Sequence, residues 1–261
     1  GIIGSGQLGS LLCQAAKKFN VKTAAERIVR GKMINSGQTC IAPDYILVSK
    51  DKMDDFVEAI QDQVKKMYPT YVNNPDFTSV INERHHQRLT KLLSEAQEAG
   101  VEIIKVNPSS ENFPETTRKM ALHLLLNPQA DLDVMNDEIF GPLLPLIPYD
   151  TLDDAILHVN ERPRPLALYL FSEDSRIQEK VLEKTTSGGV TINDTLMHCA
   201  VEALPFGGVG PSGMGAYHGE ESFRTFSHEK GIFVQAKVNA GGLASPPFGR
   251  AVDTRLKFFV G

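Results

Sequence analysis

The feature that most limits the possible folds is a regular alternation between short apolar runs and longer amphipathic stretches. The runs at 45–48, 143–149 and 166–171 are nearly continuous in apolar residues, whereas 52–67 and 83–100 carry apolar residues at helical spacing. Strands that are apolar throughout are typical of a parallel sheet buried on both faces. The sequence therefore predicts an α/β fold with a mainly parallel sheet flanked by helices.

Other segments fit the same alternation. Further strands are predicted at 101–106, 120–126 and 188–193, and further helices at 151–160 and 174–184. The helix at 151–160 begins at a threonine with an aspartate three residues later, which is the pattern of a capping box. After the last of these elements the chain becomes rich in glycine, and a final candidate strand covers 231–238 before an extended arm.

Composition excludes several classes of function. A net charge of -5 argues against a nucleic-acid-binding surface, which needs clustered Lys and Arg. No window approaches 18 consecutive apolar residues, and no signal segment is recognised, so we expect no membrane span and a cytoplasmic location. Three cysteines without a framework of spacings suit a reducing compartment. The histidines, including the His85-His86 pair, show no metal-ligand spacing, so no metal site is predicted.

The N-terminus carries a glycine-rich pattern. Gly4, Gly6 and Gly9 form G-x-G-x-x-G between a candidate strand at 1–3 and a candidate helix at 10–19. In this context the glycines can bind a dinucleotide or phosphate at the helix N-terminus. Against that interpretation, the next candidate strand, at residues 21 to 23, is short and no acidic residue follows it to hold a ribose. A purely structural βα turn is therefore the favoured alternative.

A cysteine, Cys40, lies on a turn between two predicted elements. The helix predicted at 23–34 begins with Thr23 and Glu26 in capping-box spacing, and the strand at 45–48 follows the turn. Loops held by rigid elements often carry catalytic residues. A single cysteine is nevertheless more often a small buried apolar residue than a nucleophile. On spacing alone both interpretations stay open.

Four motifs in a fixed order decide between them. They are Gly37-Gln38-Thr39-Cys40, Asp137-Glu138-Ile139-Phe140-Gly141-Pro142, Gly188-Gly189-Val190-Thr191-Ile192-Asn193-Asp194, and Pro205-Phe206-Gly207-Gly208 with Ser212-Gly213. From about Ala24 onward the chain resembles the C-terminal, catalytic half of aldehyde dehydrogenases. Details such as Ala42-Pro43-Asp44-Tyr45 resemble the branch that acts on fatty, aromatic and coniferyl-type aldehydes.

The resemblance implies a role for five residues. Cys40 is implied as the nucleophile, whose thiolate is the active form and needs a lowered pKa, and its backbone N–H as an oxyanion donor. Glu138 is implied to bind the cofactor ribose and Phe140 to pack near the nicotinamide of NAD or NADP. Asn193 is implied to lie near the thiol, and Phe206 in the substrate funnel. Taken without the resemblance, Glu138 fits an exposed carboxylate, Asn193 a turn residue, and both phenylalanines the core.

Two features of the family pattern are missing. Between Gly9 and Cys40 there is no Glu-Leu-Gly-Gly segment, which supplies the general base, and the upstream oxyanion asparagine has no counterpart. The first 22 residues instead resemble the N-terminal βα turn of the ATP-dependent carboxylase subunit of purine biosynthesis. We therefore predict a Rossmann-like βα fragment at 1–23, a catalytic domain at 24–230, and an oligomerisation strand with a C-terminal arm at 231–261.

The function implied by the resemblance is oxidation of an aldehyde to its acid with NAD or NADP, through a cysteine thiohemiacetal and thioester. With the base missing, we expect weak turnover or none. One alternative is an acyl-transferring reductase in which phosphate or coenzyme A replaces water. Another is a non-catalytic, self-associating fragment, because the strand at 231–238 is implied to join the subunits of a homo-oligomer, predicted to be a dimer.

Overall fold

The structure, a computed structural model, describes residues 20–238, the backbone of Gly9–Cys13, and Pro246. The chain divides into two compact units, Gly1–Thr225 and Phe226–Gly261. The strands are β1 (Gly9–Cys13), β2 (Tyr45–Ser49), β3 (Glu102–Val106), β4 (Leu122–Leu126), β5 (Leu143–Tyr149), β6 (Ala167–Phe171) and β7 (Gly189–Ile192). The α-helices are α1 (Val21–Met33), α2 (Met53–Met67), α3 (Glu83–Glu98), α4 (Asp133–Asn136), α5 (Leu152–Asn160), α6 (Ser175–Lys184), α7 (Met197–Ala200) and α8 (Gly219–Thr225). None of the helices within the described ranges is long and apolar enough to cross a membrane.

The seven strands form one sheet in the order β3-β4-β5-β2-β1-β6-β7. All neighbours pair in parallel except β3 and β4, which are antiparallel. The predicted α/β fold with a mainly parallel sheet is therefore confirmed, and most predicted strands and helices lie within two residues of their observed bounds.

Both faces of the sheet are covered by helices. On β2, Ile46 and Val48 belong to the apolar cluster that α1 and α2 cover, whereas Tyr45 and Leu47 belong to the cluster under α5 and α6. Successive side chains of a strand point to opposite faces, so an unbroken apolar run is what burial on both faces requires.

Helix α3 covers a third apolar cluster. Its residues Leu89 and Leu92 pack with Leu125 of β4, with Leu143 of β5 and with Ile139, all buried. Because Ile139 lies within one of the four sequence motifs, this packing places α3 beside the candidate site.

Helix boundaries confirm one predicted cap and correct another. At α5, Thr151 and Asp154 form the predicted capping box. At α1 the predicted box at Thr23 is wrong, because Asn20 caps the helix by accepting a hydrogen bond from the Lys22 N–H at 2.9 Å. The helix therefore begins at Val21. The short strand predicted at residues 21 to 23 is also wrong, because these residues form the first turn of α1.

The helix predicted at 10–19 is wrong over its first residues, because Gly9–Cys13 is strand β1. This strand pairs in parallel with both β2 and β6, so hydrogen bonds on two sides override the local helical pattern. Gly9 is the first residue of that strand. The predicted strand at 1–3, with Gly4, Gly6 and the remainder of the predicted helix, lies outside the described residues.

The structure assigns no regular element to 231–238 in the single chain, and the predicted strand between subunits stays a prediction. A strand needs hydrogen bonds to a neighbour, and within the described ranges no strand pairs with this segment. Its residues Ile232, Phe233 and Val234 are 76%, 85% and 83% exposed. The apolar pattern that suggested a strand therefore lies on an exposed segment.

Candidate active site

Cys40 follows a sharp reversal of the chain after α1. Three consecutive residues, Asn35, Ser36 and Gly37, have φ values of 52°, 55° and 75°. The left-handed conformation costs non-glycine residues about 1–2 kcal/mol each, so this turn needs support from its surroundings. Part of that support is the Ser36 hydroxyl, which donates to the carbonyl of Thr78.

The side chain of Gln38 ties the same turn to the segment that leads into α3. Its Nε2 donates to the carbonyls of Asn35 and Ser79 at 2.9 and 3.1 Å, and its Oε1 accepts from the Ile81 N–H at 2.8 Å. With both ends of the amide used, the position of the loop is fixed by tertiary hydrogen bonds.

The thiol itself is presented on a second turn. The N–H of Ala42 donates to the carbonyl of Thr39 at 3.1 Å, which leaves Cys40 and Ile41 at the centre of the turn. The hydroxyl of Tyr169, buried in β6, donates to the carbonyl of Ile41 at 2.7 Å. Cys40 is exposed and makes no disulfide. A reactive side chain is thus held in the open by a rigid backbone.

The electrostatics of Cys40 differ from the expectation that its site lowers its pKa. Partial burial raises the pKa of the thiol, and the nearby Glu138 carboxylate and Cys199 raise it further. The backbone N–H groups of Cys40 and Ile41 act in the opposite direction. The described surroundings therefore favour the neutral thiol.

Glu138 is a half-buried carboxylate close to this thiol. Burial, and then the charge of Asp44, raise the pKa of Glu138 to about 7, while Arg88 and Lys32 oppose the rise. No side chain or backbone donor within residues 20–238 binds its carboxylate. Glu138 therefore changes charge near neutral pH and has oxygens free to accept hydrogen bonds.

Two buried charged residues close to Glu138 were not predicted as part of the site. Lys32 is 0% exposed and Asp44 is 4% exposed. The Asp44 Oδ1 accepts from the Ile139 N–H at 3.2 Å, whereas its Oδ2 and the Lys32 Nζ have no hydrogen-bond partner in the described part of the chain. Burial lowers the pKa of Lys32 to about 8 and raises that of Asp44 to about 6. The one available signal was that Lys32 lies four residues after Ile28, on the apolar face of α1.

The motif around Glu138 touches the Cys40 loop through two glycines. A side chain at Gly37 would overlap the carbonyl oxygen of Gly141, so the two segments meet at backbone contact. Between them Phe140 has a φ of 49°, and its half-buried ring lies edge-on to His85 with centroids 6.0 Å apart. The structure therefore brings the Cys40 loop and the segment of Glu138 and Phe140 together, and the roles implied for these residues stay predictions.

Asn193 supports α1 from a neighbouring strand end. Its side-chain Oδ1 accepts from the Ser172 N–H at 2.8 Å, and its Nδ2 donates to the Ser172 carbonyl at 3.0 Å. Arg27 of α1 donates to the carbonyl of Asn193, and the Thr195 hydroxyl donates to the carbonyl of Arg27 at 3.1 Å. Asn193 thus braces the helix that leads to Cys40, and its catalytic role remains a prediction.

Phe206 is enclosed by other rings. It is 5% exposed and stacks on His198 and His218, with centroids 5.9 and 5.6 Å apart. Tyr217 meets it edge-on and is itself half-exposed. The substrate role predicted for Phe206 stays a prediction, as does the cofactor role of Gly9. Within the ranges described, no group of three or more His, Cys, Asp and Glu side chains could hold a metal ion.

The charge of Glu138 gives a testable effect on the thiol. Glu138→Gln removes a carboxylate that raises the pKa of Cys40, so the pH midpoint of Cys40 alkylation should fall. We expect alkylation about three- to tenfold faster near pH 8, with the difference vanishing below pH 6, where Glu138 itself is protonated. Iodoacetamide kinetics from pH 5 to 10 measure this.

The matched control is Asp137→Asn, which neutralises the exposed carboxylate immediately before Glu138 in the sequence. It should leave the midpoint unchanged, because Asp137 is not among the groups that shift the pKa of Cys40. Equal shifts in the two variants, or a rise in the midpoint of Glu138→Gln, would contradict the arrangement of Glu138 beside the thiol.

Comparison with protein families gives a match over most of the chain. Residues 13–232 match the model of the aldehyde dehydrogenase family. The chain is 48% identical over 241 residues to the probable coniferyl aldehyde dehydrogenase of Pseudomonas aeruginosa, covering 92% of this chain and 50% of that protein. It is 44% identical over 230 residues to the 4,4'-diaponeurosporen-aldehyde dehydrogenase of Staphylococcus aureus, covering 88% and 49%.

Solved structures agree with these relatives. The substrate-bound state of Staphylococcus aureus AldH matches with a TM-score of 0.82 and 40% identity, covering 98% of this chain and 54% of that one. A Mycobacterium tuberculosis aldehyde dehydrogenase complexed with NAD+ matches with a TM-score of 0.75 at 22% identity, covering 90% and 48%, and so supports the fold alone. The chain spans about half the length of the curated relatives it matches.

Proposed function

Because the chain belongs to the aldehyde dehydrogenase family, we propose that it oxidises an aldehyde to a carboxylic acid through Cys40, with NAD or NADP. The observation that carries the proposal is an exposed thiol on a rigid turn, in one site with the half-buried Glu138 and Phe140. The names of the relatives support the reaction class, and the ordered motifs with the position of Cys40 beside Glu138 support the choice of residues.

The first step takes place on Cys40. Its thiolate adds to the aldehyde carbonyl, so that a C–S bond forms and the carbonyl oxygen becomes an oxyanion. The N–H groups of Cys40 and Ile41 already favour negative charge at the sulfur, and they can donate hydrogen bonds to the oxyanion. Because the thiol pKa is raised, we expect this step to accelerate with pH across the neutral range.

Glu138 and Phe140 fit the nicotinamide end of the cofactor. The Glu138 carboxylate has no hydrogen-bond partner within residues 20–238 and can accept from ribose hydroxyls, and the Phe140 ring offers a half-buried apolar surface. When bound, NAD or NADP supplies the hydride acceptor for the oxidation. Attack of water on the resulting Cys40 thioester would then release the acid and restore the thiol.

We infer an aromatic or long-chain aldehyde as the substrate. Two relatives are named for coniferyl and diaponeurosporen aldehydes, and the sequence details around Asp44 resemble that branch. The ring cluster of Phe206, Tyr217 and His218 supports an apolar substrate because Tyr217 leaves part of it open to solvent. We expect slow turnover, since no Glu-Leu-Gly-Gly segment lies between Gly9 and Cys40.

The proposal is tested by following the reduction of NAD and of NADP with cinnamaldehyde-type and short aliphatic aldehydes. We expect slow, aldehyde-dependent reduction, faster with the aromatic substrate, and a carboxylic acid as the product. Acyl phosphate or acyl-coenzyme A formed only when those acceptors are added would establish the acyl-transferring alternative instead. No reduction with any aldehyde would contradict the proposed activity of this chain.

We further propose that the protein is cytoplasmic and forms a homo-oligomer, predicted to be a dimer. Support for self-association comes from the exposed apolar side chains of Ile232, Phe233 and Val234, since large exposed apolar patches mark interaction surfaces. The unpaired thiols Cys40 and Cys199 suit a reducing compartment. Light scattering should give twice the mass of the 28.7 kDa chain, and a monomer would contradict the oligomer proposal.

A further inference from the structure

Two side chains of α3 bind three successive carbonyls of the Glu138–Phe140 turn. The Nη1 of Arg88 donates to the Glu138 carbonyl at 3.2 Å, and its Nη2 donates to the Ile139 carbonyl. The Nε2 of His85 bonds the Phe140 carbonyl at 3.0 Å. Every carbonyl of the turn is therefore held from the same helix.

The two side chains also bind one another, which fixes the tautomer of the histidine. The Nε of Arg88 donates to the Nδ1 of His85 at 3.4 Å. A carbonyl can only accept, so the hydrogen of His85 is on Nε2 and its Nδ1 is the acceptor. Burial lowers the pKa of His85, which favours the neutral ring that this pattern requires.

The turn requires such support because its own sequence does not favour its shape. Phe140 is left-handed at a φ of 49°, a conformation that bulky residues rarely adopt. Gly141 packs so closely on Leu89 of α3 that a side chain would overlap the leucine. Tertiary contacts, with α3 supplying those to the three carbonyls, therefore determine where Glu138 and Phe140 lie, rather than local backbone preference.

The same region also supports the nucleophile. Gln38 is bound by Ser79 and Ile81, which lie in the segment leading into α3, and Gly37 meets Gly141. Helix α3 and its leading segment thus contact both halves of the site, the thiol loop and the Glu138–Phe140 turn. A shift of the turn relative to α3 would change the separation between Glu138 and Cys40.

We propose that Arg88 is a positioning residue, which holds the Glu138–Phe140 turn against α3 and so sets the carboxylate of Glu138 relative to the thiol of Cys40. The geometry of the proposal comes from the carbonyl contacts, and the purpose that it gives to Arg88 rests on the proposed function. Arg88 acts through the backbone of the turn. It binds no reacting atom, so its loss should disturb the coupling between Glu138 and Cys40 rather than remove either group.

The test is a double-mutant cycle read by iodoacetamide alkylation of Cys40 as a function of pH. In the wild-type background Glu138→Gln lowers the alkylation midpoint. In the Arg88→Ala background we expect this shift to fall to less than about half. Without Arg88 the turn is no longer fixed, and the carboxylate of Glu138 is no longer held near the thiol. Ethylguanidinium should restore the shift in part, since it can occupy the vacant site and bind the same carbonyls.

The matched control is Arg84→Ala, which removes an exposed arginine one turn earlier on α3 that binds none of the turn carbonyls. Its Glu138→Gln shift should equal that of the wild type. Hydrogen exchange of residues 138–140 should rise about tenfold or more in Arg88→Ala and stay unchanged in Arg84→Ala. Because the charge of Arg88 also lowers the pKa of Glu138, Arg88→Lys is measured beside Arg88→Ala. It retains the charge but cannot bind two carbonyls at once, and it should show the same reduced shift.

An undiminished Glu138→Gln shift in the Arg88 variants, with unchanged exchange of 138–140, would overturn the proposal. Neither readout depends on turnover. A chain that shows the coupling but reduces no NAD or NADP would contradict only the proposed function, whereas active chains with undiminished coupling would contradict only the role of Arg88.

Discussion

Cys40→Ser should abolish aldehyde-dependent reduction of NAD or NADP, with a loss of about a thousandfold or more. Removing the nucleophile of a covalent mechanism removes the whole route through the acyl intermediate, because a serine hydroxyl is almost fully protonated at neutral pH and is a far weaker nucleophile than a thiolate. The side chain is exposed, so the free energy of unfolding should change by no more than about 0.5 kcal/mol. Steady-state assays beside urea unfolding measure both quantities.

The control for this variant is Cys199→Ser, which changes the other described free cysteine. Cys199 is partly buried against the apolar cluster under α1 and α2 and has no assigned role in the chemistry. It should retain activity within about threefold. Turnover that survives in Cys40→Ser, or that is lost equally in both variants, would contradict the assignment of the nucleophile.

Gly37→Ala should lower the free energy of unfolding by about 2–4 kcal/mol and slow the alkylation of Cys40 by about tenfold or more. The position has a φ of 75°, and the added methyl group would overlap the carbonyl oxygen of Gly141. Neither backbone segment can yield without moving the thiol loop or the Glu138–Phe140 turn. Urea unfolding and iodoacetamide kinetics on the same preparation measure the two effects.

Gly100→Ala is the matched control, because Gly100 has a φ of 77° but no atom within 4 Å of the added methyl group. It carries the conformational penalty without the overlap, so we expect a loss of about 1 kcal/mol and no change in alkylation. If the two variants were equally destabilised, the backbone contact between Gly37 and Gly141 would not be what holds the site together.

The sequence predicted elements best where local pattern and tertiary environment agree. Local residues alone were enough to predict the capping box of Thr151 and Asp154. The same holds for the apolar strands β2, β5 and β6. Strand β1 was missed because its hydrogen bonds to β2 and β6 come from residues far along the chain. The segment 231–238 shows the converse, a strand-like pattern without a pairing partner in the described residues.

For the site, the sequence identified the residues within motifs but not the residues that support them. Cys40, Glu138 and Phe140 were found through ordered motifs, and the structure brings them together. The residues that hold them were not found, because Arg88 and His85 resemble ordinary polar residues of a surface helix until their distant carbonyl partners are known. Supporting contacts of this kind depend on the folded chain and leave no signal in local spacing.

The central claim, that Cys40 is the nucleophile, is tested most directly by mapping where an aldehyde-mimicking alkylator attaches. The chain would be treated at limiting reagent, digested, and analysed by peptide mass spectrometry, with Cys13 and Cys199 as internal references. The account predicts that Cys40 is labelled at least about ten times faster than either reference, because its thiol is exposed on a rigid turn in the substrate site although its pKa is raised, and that excess aldehyde protects it. Labelling of Cys40 no faster than that of Cys13 or Cys199, without protection by aldehyde, would contradict it.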